Sequence, residues 1–147
     1  MRITALTSCL FLTATTLASA QARPKDEASI RSSVAAYEAA VNARNVGAIA
    51  AVFTSDADAV FFDSPRREGR DSIAKDHSEA LASWPAARRF SLEVTHIRFL
   101  GPELALIETV AGFSEGEMRS NRGTILVERR GGDWRWAALR VYPAEKD

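Results

Sequence analysis

Trp134-Arg135-Trp136-Ala137-Ala138-Leu139-Arg140-Val141-Tyr142 is the stretch on which the reading of the fold turns. It follows Gly131-Gly132, a turn signal, and its aromatic-rich alternation suits a β-strand. Strict alternation puts Trp134, Trp136, Ala138, Arg140 and Tyr142 on one face. Two indoles mark that face as covered. An arginine on a covered face needs a partner or a ligand, because a buried charge without one is costly.

Working back from this strand, Arg122 to Arg130 forms the other arm of a hairpin across Gly131-Gly132. Leu104 to Phe113 is an earlier strand, entered through the Gly101-Pro102 turn, and Ser114 to Asn121 is a polar connection. Phe90, Leu92 and Val94 alternate, then the phase shifts to Ile97 and Phe99, which predicts a bulge near Thr95–His96. Ala59 to Asp63 predicts one more short strand.

Helices fill the first half. Ile30, Val34, Tyr37 and Val41 recur at helical spacing, and Asp26 is the expected cap. Asn45 caps a shorter helix that carries Ile49 and Phe53. A third helix, Asp71 to Trp84, aligns Ile73, His77, Leu81 and Trp84 before Pro85 stops it. Helices followed by a run of antiparallel strands give an α+β class.

The first 20 residues read as a secretory signal: Arg2, an apolar stretch from Ile3 to Leu17, and the small-x-small site Ala18-Ser19-Ala20. Leu6-Thr7-Ser8-Cys9 loosely matches a lipoprotein box, but most of the apolar segment follows Cys9 instead of preceding it. Cleavage after Ala20 predicts a periplasmic or secreted protein with a polar leader at 21–25 and one domain at 26–143, with no membrane association after signal removal. Such a length supports a core without disulfide or metal. The single cysteine, Cys9, leaves with the signal, taking thiolate chemistry with it. The 19 basic and 19 acidic residues are evenly mixed, which argues against nucleic acid as a partner.

The order helix-helix-strand-helix-sheet resembles the nuclear transport factor 2-like superfamily, which includes ketosteroid isomerase, scytalone dehydratase and the SnoaL-like polyketide cyclases. Four segments carry the resemblance: Tyr37 to Asn45, Ala48 to Ala57, Gly69-Arg70-Asp71-Ser72-Ile73, and Gly131 to Trp136. Together they look closest to the small SnoaL-like, SgcJ/EcaC-like branch. The resemblance implies a cone-shaped curved antiparallel sheet wrapped around a pocket, with three helices packed on it, and commonly a homodimer. It also implies that Trp136, Ala138 and Arg140 point inward from the last strand, Leu106, Glu108 and Val110 from an earlier one, and Tyr37 from the first helix.

These positions define the expected chemistry. Tyr37 stands where the isomerase tyrosine does, but Phe61 occupies the base position, with Asp63 two residues on, and the second acid is replaced by an apolar residue near Leu126. Ketosteroid isomerase activity is therefore not expected. Glu108 and Asp63 are the candidate proton carriers beside Tyr37. Arg140, Trp136, Leu106, Val110 and His77 are the candidate ligand contacts. Arg140 either closes an ion pair with Glu108 or receives an anionic group of the ligand. Two isolated histidines give no metal-ligand pattern, and with no glycine-rich phosphate loop no cofactor is expected. The arginine pairs 66–67, 88–89 and 129–130 read as solvated. The expected function is an exported protein binding a small, partly apolar molecule that can be anionic. The alternatives are a cofactor-free isomerase, cyclase or dehydratase-type lyase, or a non-catalytic dimerisation domain.

Overall fold

The computed structural model describes residues 23–114 and 121–143. The signal segment and most of the Ser114–Asn121 connection lie outside the described residues. The elements run α1 (Pro24–Asn42), α2 (Val46–Ala51), β1 (Phe53–Phe61), β2 (Arg67–Glu68), α3 (Arg70–Ser83), β3 (Phe90–Phe99), β4 (Leu104–Phe113), β5 (Asn121–Arg130) and β6 (Asp133–Tyr142). Three helices pack on one face of a curved, unclosed six-stranded sheet of order β2-β1-β6-β5-β4-β3. The class is α+β. The sheet is mixed: β1 runs parallel to β6, which requires the long connection that the intervening elements supply.

Local chemistry sets the boundaries. α1 starts at Pro24, two residues before the expected cap, because proline lacks the N–H that a first helical turn leaves unused. Asp26 is drawn instead to Arg129 and to the Trp134 indole N–H at 3.3 Å, pinning the helix start to the β5–β6 hairpin. Asn45 caps α2 as expected, its side chain accepting the Ala48 N–H at 3.0 Å. β1 starts earlier than expected and ends at Phe61, so Asp63 falls in the exposed turn that follows it.

Two bulges control which side chains reach the core. In β3 the register slips between Val94 and His96, leaving Thr95 unmatched as the phase change implied. A second slip runs against the strict alternation expected of β6. Trp136 pairs with Val127 and Ala138 with Leu126, so Ala137 is an extra residue in β6. The strict alternation expected of that strand therefore breaks at Ala137. Trp134, Trp136 and then Leu139 are buried on the inner face, with Val141 following on it, whereas Arg140 turns to the outer face.

Helix α1 lies across the inner face through Ile30, Val34, Tyr37 and Val41, against Trp136, Ile107, Ile125 and Val127 in one core. It also guards an edge. β3 ends the sheet, and an open edge invites pairing with other chains. Asn42 donates its amide to the Phe90 carbonyl at 2.8 Å and accepts the Phe90 N–H at 2.9 Å. Glu38 accepts the Leu92 N–H at 2.8 Å. Side chains of α1 thus take the place of a seventh strand. Asn42→Ala should cost about 1–3 kcal/mol by stranding both Phe90 backbone groups. Thermal unfolding measures it, and an unchanged midpoint would refute the edge role.

Candidate functional site

The inner face does not fill completely. Where the strands carry Thr109, Ala111 and Gly123, the side chains are too short to reach α3, and a cavity of about 330 Å³ remains. Gly123 matters for close approach: a Cβ there would stand 2.6 Å from the Thr109 hydroxyl. The walls are aromatic and aliphatic, with Trp136, Phe90 and Phe113 from the sheet and Leu81 and Trp84 from the α3 side. Its polar lining includes Tyr37, His77, Thr109, Asn121, Asp76, Arg88 and Arg122.

Tyr37 and His77 form the centre of that polar set. His77 Nδ1 lies 2.8 Å from the Ile73 carbonyl, which can only accept, so Nδ1 carries the proton. In the neutral ring Nε2 is then an acceptor, and the Tyr37 hydroxyl donates to it at 2.7 Å. Burial pushes the His77 pKa down, against the opposing pull of the Ile73 carbonyl and the Asp76 charge. Burial likewise pushes the Tyr37 phenol up, helped by Asp76. Both groups are therefore neutral at pH 7, a hydroxyl–imidazole pair in an apolar wall. Asp76 is engaged from outside by Arg67, whose Nε lies 2.6 Å from its carboxylate.

The residues singled out from sequence divide sharply. Tyr37, His77 and Trp136 meet at the cavity: the Trp136 and Tyr37 rings are 4.7 Å apart, and the His77 ring meets Tyr37 edge-on at 5.7 Å. Arg140 does not join them. Its guanidinium grips Asp58 through both terminal nitrogens, at 2.8 and 2.9 Å, on the outer face. Arg66 reaches the same carboxylate at 3.1 Å. The partner expected for Arg140, Glu108, is exposed, because β4 turns Ala105, Ile107 and Thr109 inward and Leu106, Glu108 and Val110 outward. Asp63 is exposed beyond the end of β1 and does not line the cavity. The inward facing expected for Arg140, Ala138, Leu106, Glu108 and Val110 is thus corrected. A bulge at Ala137 reverses the phase in β6, and in β4 the buried set is Ala105, Ile107 and Thr109.

Thr109, Asn121, Trp84, Phe113 and Arg88 line the cavity without having been singled out as ligand contacts. Phe113 was readable in principle, since it shares the phase of Ile107 along β4. Arg88 was not, because an Arg-Arg pair after a helix stop looks solvated.

The SnoaL-like domain family matches the chain over residues 34–137. No curated protein matches significantly. Among solved structures, a domain of unknown function with a cystatin-like fold from Nostoc punctiforme is 24% identical, covering 86% of this chain and 81% of its own, with a TM-score of 0.75. A ketosteroid isomerase-like protein from Erwinia carotovora atroseptica is 16% identical, covering 84% and 100%, with a TM-score of 0.67. A hexachlorocyclohexane dehydrochlorinase is 16% identical, covering 82% and 86%, with a TM-score of 0.71. At these identities the structures share the fold, while activity resides in the site. With the helix order, the sheet and the family match in agreement, the chain belongs to the SnoaL-like domain family of the nuclear transport factor 2-like superfamily.

Proposed function

We propose that this chain binds a small, partly apolar molecule in the cavity between α3 and the sheet. The observation that carries the reading is the cavity itself: about 330 Å³, walled by aromatic rings, with a Tyr37–His77 pair set among them. Concave, mostly apolar sites with a few placed polar groups are the usual form of small-molecule sites, and this volume is at their lower end. Export with loss of residues 1–20 and assembly as a homodimer belong to the same proposal.

Native mass spectrometry of the secreted fraction tests it. A co-purified small molecule is expected, on a chain lacking its first 20 residues and in dimeric form. Ala111→Phe, which projects a ring into the cavity, should abolish the adduct while far-UV circular dichroism stays unchanged. Arg140→Ala, which alters only the outer face, should leave the adduct in place. If Ala111→Phe protein retains the adduct, the cavity is not the binding site.

A second reading, a cofactor-free isomerase or lyase, is favoured by the 2.7 Å contact between the Tyr37 hydroxyl and His77 Nε2. If the hydroxyl turned to hydrogen-bond a substrate carbonyl oxygen, Nε2 would be free to take a proton from the adjacent carbon. The C–H electron pair would move into an enolate, whose oxygen Tyr37 would hold. Under this reading His77→Gln removes turnover but leaves ligand binding. Retained turnover in that variant would exclude His77 as the base.

A further inference from the structure

The lining of the cavity includes a cation that the reading above does not use. Arg88 lies in the connection between α3 and β3, with its backbone N–H donating to the Pro85 carbonyl at 3.1 Å. Its guanidinium carbon stands 5.6 Å from the Trp84 ring centre and 5.7 Å from that of Phe113. The two rings meet edge-on, 5.2 Å apart, so together they form an angled seat for the guanidinium. Such contacts hold the guanidinium by its charge over the rings and do not consume its N–H donors.

One of those donors is unsatisfied. Arg88 Nε is buried and has no hydrogen-bond partner among the described residues. A buried donor of a charged group is costly to leave unpaired. No acidic side chain pairs with Arg88 among the described residues, whereas Asp76, the carboxylate on the same lining, is taken by Arg67. The cavity therefore combines a compensated carboxylate beside Tyr37 and His77 with an oriented cation seated on two of its aromatic walls.

We propose that Arg88 is the anion-reading residue of this cavity and that its ligand is an aromatic or cyclic carboxylate. The ring lies against Trp136 and Phe113, and the carboxylate accepts in-plane hydrogen bonds from the guanidinium. A planar fork matches a carboxylate in two-point contact. Arg122, the other arginine on the lining, is exposed, so Arg88 is the one arginine seated in the largely apolar wall and supplies too few donors for a phosphate dianion, which directs the choice to the carboxylate. The assignment rests on the cavity being the ligand site and narrows the chemical class of what enters it.

Matched probes test the assignment: 1-naphthoate, its uncharged amide 1-naphthamide, and 1-naphthyl phosphate, each titrated by calorimetry into the full-length chain as it is isolated after expression. Wild-type protein should bind naphthoate more tightly than either of the others. Arg88→Gln should weaken naphthoate by about 10- to 100-fold, the scale of a charge-assisted pair, and change naphthamide by less than about twofold. Arg88→Lys keeps the charge but loses the planar fork, and should fall between them; it also guards against a folding defect in the glutamine variant. If naphthamide binds and Arg88→Gln leaves the naphthoate-to-naphthamide ratio unchanged, the assignment is wrong while the cavity remains a binding site. Tighter binding of the phosphate than of naphthoate also overturns it. If no probe binds the wild type at millimolar concentration, both readings fall together.

Discussion

Trp136→Ala is expected to destabilise the fold by about 3–5 kcal/mol, the range found when a fully buried aromatic is cut to a methyl. No part of Trp136 is exposed. Its ring lies 4.7 Å from Tyr37 and 5.4 Å edge-on from Phe53, and its indole N–H donates to the Ser33 hydroxyl at 3.1 Å. Truncation would lose all three contacts at the point where α1, β1 and β6 converge. The void could not close easily, because it would open directly into the existing cavity. Domains of this size are stable by roughly 5–15 kcal/mol, so the variant should be close to unfolding at 37 °C. Urea denaturation measures the effect. Trp136→Phe, which keeps a ring, should recover much of the loss. A cost below about 1 kcal/mol for the alanine variant would mean that this tryptophan is not the keystone of the core.

The second large effect concerns the buried hydroxyl–imidazole pair. Tyr37→Phe deletes the donor to His77 Nε2 and leaves a buried acceptor unpaired, at a cost of about 1–3 kcal/mol. The same burial makes stability depend on pH. The folded-state pKa of His77 lies below its ordinary value of 6.5, so between those two values the unfolded chain binds more protons than the folded one. Stability contributed by the neutral imidazole is therefore complete above about pH 6.5, is lost as the pH falls towards the folded value, and levels off below it. The carboxylates whose pKa is displaced, Asp26 and Asp56, are displaced downwards from 3.8 and so act at lower pH. Melting temperature should consequently drop between pH 7.5 and pH 5.5. His77→Gln should flatten that slope while lowering the midpoint at pH 7.5. An equal slope in both proteins would show that His77 is not the titrating group.

Much of the architecture was legible because the signals are local. The spacing of Ile30, Val34, Tyr37 and Val41 names a helix wherever it packs, and Pro85 ends α3 whatever follows. The phase change from Val94 to Ile97 even revealed the β3 bulge, since apolar residues on both sides reported which face was buried. The same kind of signal recurs around Ala137, where Trp134 and Trp136 give way to Leu139 and Val141, but Ala137 and Ala138 are small enough to suit either face and mask the point of the slip. The consequence was large: every side chain after it, Arg140 included, changed faces.

The site depended still more on long-range geometry. Tyr37 and His77 are 40 residues apart, and only the packing of α1 and α3 on the same sheet brings them to 2.7 Å. Asp58 meets Arg140 because β1 runs parallel beside β6, a pairing that alternation within either strand cannot specify. Arg88 gains its significance from Trp84 and Phe113, which the fold brings together from the C-terminal end of α3 and the last residue of β4.

By itself the sequence determined the helices, the number and order of the long strands, the α+β class, and the burial of the Trp134 and Trp136 pair. Hydrophobic period and turn chemistry are properties of neighbouring residues and survive without coordinates. Tertiary structure alone decided that Arg140 is bound to Asp58 outside the cavity, and that Tyr37 and His77 meet at 2.7 Å on a lining that Arg88 shares. Register and side-chain partners arise between segments distant in the chain, and a one-residue bulge is enough to reverse them.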